Sequence, residues 1–267
     1  MAKLFSKLVL ITFLLITGCA KKNIDDENSV VIGTIAGPET ELVEVAKEVA
    51  MKKYNLSVTI KAFNDYVEPN RALADGDINV NMFQHQPYLD DVVKTQNYKL
   101  VSIGELFIYP VGIYSQKYKK IDDIPDNAIV ALPNDASNQA RSLLLLEQAG
   151  LIKLDSNKSR EKVSVHDVAE NIKKLKFKEV DPAFMVRMLS DLDIAVINTN
   201  YAAIANLLPN RDALFAENKK SLYANILVVR EEDKNKEKFN KLLQALRSKE
   251  VLQTADKIFN GQALQAW

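Results

Sequence analysis

Apolar and polar positions fall in short blocks along this chain, and their period switches repeatedly between strand-like and helix-like. The clearest block is 75–91. It opens on the turn Asp75-Gly76-Asp77. Ile78, Val80 and Met82 then alternate with Asn79, Asn81 and Phe83, the period-2 pattern of a strand with two unlike faces. Gln84-His85-Gln86 follows, and Pro87 suits the first turn of a helix. His85 is therefore expected where a strand ends and a helix begins, between Phe83 and Tyr88. Strand ends of open α/β sheets are where ligands bind. A satisfied aromatic core corner is the competing reading of the same cluster.

Strand and helix patterns alternate on both sides of this block. A strand is expected over 30–36, then the turn Ala36-Gly37-Pro38 and a helix to residue 53, with Thr40 as its N-cap and Glu41 and Glu44 in its first turn. A strand over 56–63, a short helix near 70–74 and a helix over 87–95 follow. The run 100–114 exceeds one ordinary strand and is broken at Tyr109-Pro110, which marks a crossing into a second lobe. There a strand over 128–132, a helix over 138–149 closed by Gly150, a polar loop over 155–161, a helix over 168–175 and a strand over 176–180 are expected. Asp181-Pro182 opens a further helix. The strand Ile194–Ile197 leads to a helix capped by Asn198 and Thr199 and running to 208, then to irregular chain up to 223. The apolar strand 225–230 is the expected return, and amphipathic helices over 236–248 and 250–259 finish the chain. Such alternation predicts an α/β fold with two lobes, each a mostly parallel sheet flanked by helices. The first lobe takes 30–109 plus 230–267 and the second takes 110–229, with a ligand cleft between them.

The N-terminus stands apart from this pattern. Lys3 and Lys7 precede an apolar run, 8–16, that is too short to anchor across a bilayer. It ends at Ile16-Thr17-Gly18-Cys19, which looks like a bacterial lipobox. Residues 1–18 then read as a signal peptide, Cys19 as the lipidated N-terminus and 19–29 as a polar tether. Cys19 is the only cysteine, so no internal disulfide is possible. Lys and Arg balance Asp and Glu at 35 each, and with no basic excess nucleic acid is not an expected partner.

Catalytic templates are missing. The two histidines, His85 and His166, lie far apart and no mature thiol accompanies them, so no zinc set is expected. There is no Gly-x-Ser-x-Gly elbow, phosphate loop, His-Glu-x-x-His or dinucleotide fingerprint. Neither enzyme activity nor cofactor nor metal is expected, and His166 beside Asp167 reads as a surface or capping residue. Binding chemistry is better represented. Asn138 and Arg141 share a face near the start of the helix after Asp135, where free N–H groups and a planar guanidinium fork suit a carboxylate. A surface ion pair is the alternative. Asn198 and Asn225, at strand ends in the second lobe, can both donate and accept, or can simply cap.

These residues sit within longer matching segments. They include Asp65-Tyr66-Val67-Glu68-Pro69-Asn70, Phe83-Gln84-His85-Gln86-Pro87-Tyr88-Leu89, Pro133-Asn134-Asp135, Ala195-Val196-Ile197-Asn198-Thr199 and Tyr223-Ala224-Asn225. Across essentially the whole mature chain the sequence resembles the NlpA lipoprotein family, the methionine-binding subunits of ATP-binding-cassette importers. The resemblance implies a periplasmic-binding-protein-like type II fold with the ligand between the lobes. It implies a monomer that captures methionine, in the first instance L-methionine, and delivers it to permease and ATPase subunits. By it, Tyr66, Phe83, His85 and Tyr88 line the side-chain half of the pocket, while Asn138, Arg141, Asn198 and Asn225 hold the charged end. A thioether against aromatic rings is worth roughly 0.3–1.5 kcal/mol, and a buried zwitterion needs charge-assisted partners. Cys19 would hold the protein to a bilayer, on the periplasmic side of the inner membrane or at the outer membrane. Methionine sulfoxide, another small amino acid or a short peptide are alternative ligands, and an adhesin or envelope scaffold is an alternative role. Residues 155–180 match the family least.

Overall fold

A computed structural model describes residues 26–218 and 222–267. The signal segment, Cys19 and the tether up to residue 25 lie outside the described residues. The last tether residues are already ordered into the fold: Ser29 donates to the Asp26 carbonyl at 3.2 Å and is the first residue of a strand.

The first lobe begins with β1 (Ser29–Ile35), α1 (Pro38–Tyr54), β2 (Ser57–Phe63), α2 (Glu68–Ala74), β3 (Val80–His85), α3 (Gln86–Gln96) and β4 (Leu100–Ile108). The chain then leaves through Tyr109 and Pro110. The second lobe holds β5 (Gly112–Tyr114), β6 (Ile129–Pro133), α4 (Ala136–Gln148), β7 (Lys153–Leu154), β8 (Val168–Glu170), β9 (Lys176–Val180), α5 (Pro182–Met188), β10 (Ile194–Ile197), α6 (Thr199–Ile204), α7 (Pro209–Asp212) and β11 (Phe215–Ala216). β12 (Ala224–Arg230), α8 (Glu237–Leu246), α9 (Lys249–Ile258) and β13 (Leu264–Gln265) complete the first.

The two sheets are separate. One runs β13-β4-β12-β3-β1-β2 and the other β11-β5-β10-β6-β9, with β7 and β8 as a small ribbon. Both are mixed. β2, β1 and β3 are parallel, as βαβ crossovers require, but β12 enters antiparallel between β3 and β4. This strand is buried on both faces, which explains its unbroken apolar run Ile226–Val229. The return crossing therefore falls before Ala224, not at Val229. Asn225 belongs to the first sheet, in register with His85, and not to the second lobe as its sequence position suggested.

A core formed by α1, α8 and α9 covers one face of the first sheet and takes Val80 and Met82. α2 and α3 cover the other face. Ile78 is fully buried like Val80 and Met82, but it precedes the strand and packs on that second face. Asn79 and Asn81 tie the strand down instead of facing water. Asn79 Oδ1 accepts from the Val31 amide at 2.7 Å, and Asn81, Asn70 and Gln84 form a closed buried amide network at 2.7–3.0 Å. Such a network fixes the end of β3 because each member is satisfied only in this arrangement.

Four local expectations are corrected. α1 starts at Pro38, two residues before Thr40, because Pro is pre-set for the first helical turn. The Thr40 hydroxyl instead donates to the Ile35 carbonyl at 2.9 Å. Residues 168–175 are not helical. β8 pairs with β7, and the turn after it is closed by the Asn171 side chain bonding both polar groups of the Leu175 backbone, with Lys174 at φ 51°. The stretch 209–223 is not wholly irregular, since α7 and β11 lie within it and β11 extends the second sheet. α6 ends at Ile204, short of residue 208, where Asn206 turns left-handed.

Candidate functional site

All eight candidate residues reach the walls of one cavity between the lobes. Tyr66, Phe83, His85, Tyr88 and Asn225 come from the first lobe, and Asn138, Arg141 and Asn198 from the second. Glu39, Gln84, Tyr109, Val111, Thr199 and Asn200 complete the lining.

One wall is aromatic. Tyr66 lies 5.8 Å from Phe83, 6.0 Å from Tyr88 and 5.1 Å from Tyr201, and Phe83 lies 5.9 Å from Tyr88. Their tilted and edge-on angles are the preferred ring geometries. Hydroxyls fix the rings in place. Tyr88 donates to the Tyr66 carbonyl at 2.9 Å and Tyr66 to Asn200 Oδ1 at 2.7 Å.

His85 joins this wall to the other. It is the N-cap of α3, its Nδ1 accepting from the Tyr88 amide at 3.2 Å. Nδ1 is therefore unprotonated, and Nε2 carries the hydrogen and donates to Asn138 Oδ1 at 3.2 Å. Burial, then the nearby Arg141 charge, lower its pKa to about 3. His85 is thus a neutral wall residue with both ring nitrogens committed.

The opposite wall is polar and prearranged. Asp135 caps α4, accepting from the Asn138 amide at 2.9 Å and from Asn138 Nδ2 at 3.0 and 3.1 Å. Burial raises the Asp135 carboxyl above its usual range despite these bonds. Asn138 Oδ1 also accepts from Asn198 Nδ2 at 2.8 Å, so the Asn198 side chain bridges rather than caps α6. Arg141 is buried and already paired. Its Nε and Nη2 bond the two oxygens of Glu217 at 3.2 and 2.5 Å, and Nη2 also bonds the Tyr109 carbonyl at 2.9 Å. The guanidinium lies 4.5 Å over the Tyr223 ring, which also lies 4.9 Å from His85. The free two-bond fork expected for a carboxylate is thus spent on Glu217. The Nη1 edge makes no hydrogen bond among the described residues.

The sequence reading missed Glu39, Glu217 and Tyr223. Glu217 and Tyr223 flank a crossing that no periodicity marks. Glu39 was legible: Pro38 at the first helical position places it in the first turn of α1. It is 1% exposed, accepts from Asn225 Nδ2 at 2.7 Å, and burial raises its pKa to about 8.

The NlpA lipoprotein family matches residues 30–267, the described fold almost entire. The chain belongs to the NlpA lipoprotein family. It is 46% identical over 260 residues to the D-methionine-binding lipoprotein MetQ of Escherichia coli strain K12, covering 97% of this chain and 95% of that one. The crystal structure of a methionine-binding protein, MetQ, superposes with a TM-score of 0.89 at 46% identity, over 91% of this chain and 99% of that one. A nutrient-binding protein from Burkholderia cenocepacia bound to methionine gives 0.87 at 47% identity, over 89% and 100%. The fold is accordingly the two-lobed type II substrate-binding architecture.

Proposed function

We propose that this NlpA-family protein is an extracytoplasmic binding protein that captures methionine between its lobes and delivers it to the permease and ATPase subunits of an ATP-binding-cassette importer. The observation that carries the reading is the division of one cavity into an aromatic wall and a charged, amide-rich wall. A thioether fits the first and an amino acid's charged end fits the second. Tyr66, Phe83, His85 and Tyr88 would contact the side chain, while Asn138, Arg141, Asn198 and Asn225 would order the charged end. The reading is of binding, not turnover: His85 is neutral and engaged at both nitrogens. Cys19 would carry the lipid that holds the protein in the cell envelope.

The test is calorimetric titration of the purified protein, freed of bound ligand by unfolding and refolding, with L-methionine and D-methionine in parallel. The two hands are compared because curated relatives are named for the D form. Saturable binding of at least one hand at micromolar concentration supports the reading, and no binding of either at tens of micromolar overturns it. An adhesin or scaffold would show no growth defect on limiting methionine when Arg141→Ala replaces the wild type. Loss of metabolic palmitate labelling in Cys19→Ser tests the anchor.

A further inference from the structure

Three buried polar atoms on the cavity-lining residues have no partner among the described residues: Glu39 Oε2, Tyr109 Oη and Asn200 Nδ2. Buried polar groups are nearly always satisfied, so a cluster of orphans around one cavity points to a guest that satisfies them. Glu39 is the most demanding. Its Oε1 is fixed by Asn225 Nδ2 at 2.7 Å, and that same Nδ2 is held by the Phe83 carbonyl at 3.2 Å. The carboxylate is therefore clamped, with Oε2 left to accept a hydrogen bond. Asn138 cannot take this part. Its Oδ1 already accepts from Asn198 and His85.

We propose that Glu39 is the counter-charge for the ligand's primary ammonium group, with Oε2 accepting its hydrogen bond, so that amino-acid recognition is coupled to the protonation of one buried carboxyl. The proposal rests on the amino-acid-binding reading above and assigns the residue that distinguishes an amine-bearing ligand from its amine-free analogue.

A proton linkage follows. In the empty cavity burial holds the Glu39 carboxyl near 8, so it is mostly protonated at pH 7. An ammonium against Oε2 favours the ionised form, so binding expels a proton, and affinity rises with pH up to about 8. The tyrosines and the histidine around Glu39 do not change state in this window. Tyr66 after β2, Tyr109 after β4 and Tyr201 on α6 are pushed further above the ordinary tyrosine range by burial. His85 at the end of β3 stays neutral down to about 3. Across the cleft stand the Arg141 guanidinium, a permanent cation, its partner Glu217, and Asp135 beneath Asn138.

The experiment uses the mature protein purified from membranes in mild detergent. Methionine and 4-(methylthio)butanoate, which keeps the thioether and carboxylate but lacks the amine, are titrated against wild type and Glu39→Gln. Gln preserves shape and can still accept from Asn225. The expected result is a loss of about 30-fold or more for methionine and less than about 3-fold for the amine-free acid. Equal loss of both ligands, or loss of neither, overturns the proposal. Independently of any variant, wild-type titrations at pH 7 in buffers of different ionisation enthalpy should report release of between about half and one proton per methionine, and no release overturns it. A wild type that binds methionine but fails these tests refutes Glu39 alone, whereas a wild type that binds no methionine refutes the parent reading and the proposal with it.

Discussion

The two walls of the cleft are built by different means. The aromatic wall belongs mostly to the first lobe and is a local construction: Phe83, His85 and Tyr88 lie within six residues, across the junction of β3 and α3. Tyr66 and Tyr201 are the distant members, and the Tyr66 backbone carbonyl is bonded by Tyr88. The polar wall is assembled from afar. Arg141 is held by Glu217 and the Tyr109 carbonyl, and Asn138 by Asn198 and Asp135. The first wall is stabilised by ring packing and tolerates conservative change. The second is a chain of paired donors and acceptors in which removing one member strands another.

Substitutions should therefore cost more on the polar side. The largest effect is expected for Arg141→Ala. It removes the cation of the site and breaks the ion pair with half-buried Glu217, so methionine affinity should fall by about 100-fold or more and the melting temperature should drop. Calorimetry and a thermal melt measure the two effects, and a loss under threefold would remove the polar wall from the account. Next is Asn225→Ala, which strands Glu39 Oε1 and the Phe83 carbonyl. The expected loss is about 30-fold. Asn225 belongs by topology to the aromatic lobe, so a large effect here would show that the kind of bond, not the lobe, sets the cost.

Ligand-free stability gives a third test. Glu39 is raised to about 8 from an unfolded value near 4.5, so the folded state binds more protons between these values and stability falls as pH rises. His85 is lowered to about 3 from about 6.5, so its contribution has the opposite slope and is complete above 6.5. The two oppose each other between 4.5 and 6.5. From pH 6.5 to 8 the His85 contribution is constant, and denaturant unfolding should report a fall of about 2 kcal/mol from Glu39, with any contribution of the Asp135 carboxyl, also raised by burial, having the same sign. The profile should flatten in Glu39→Gln, and a wild type whose stability rises across this interval would contradict the assignment. The smallest effect is expected on the aromatic wall. Phe83→Leu keeps most of the apolar volume but removes the ring, so methionine affinity should fall by about 2- to 10-fold. Norleucine, which lacks the sulfur, should be nearly unaffected, and equal losses for both would mean that the ring acts by shape alone.

The same contrast governs what could be read from the residues. The strand-turn-helix at 75–91 was legible because period, turn chemistry and Pro87 agree locally. The two-lobed class followed from alternating periods and the break at Tyr109-Pro110. The pairing of β12 was not legible. A short apolar strand carries no label for its neighbours, so Asn225 was assigned to the wrong lobe. Residues 168–175 misled because helical spacing over eight residues is weak, and a single Asn171 side chain outweighed it. Glu217 lies 76 residues from Arg141, and only the folded chain brings them together.

One ligand is expected to span both walls, thioether on the rings and charged end on Arg141 and the asparagines. A crystal grown with L- or D-selenomethionine, whichever hand binds, tests it directly, because anomalous scattering locates the selenium without ambiguity. A single selenium peak is expected among Tyr66, Phe83, His85 and Tyr88, with the ligand carboxylate against Arg141 and its ammonium toward Glu39. A selenium peak on the Arg141 side, or density elsewhere with this cavity unfilled, would contradict it.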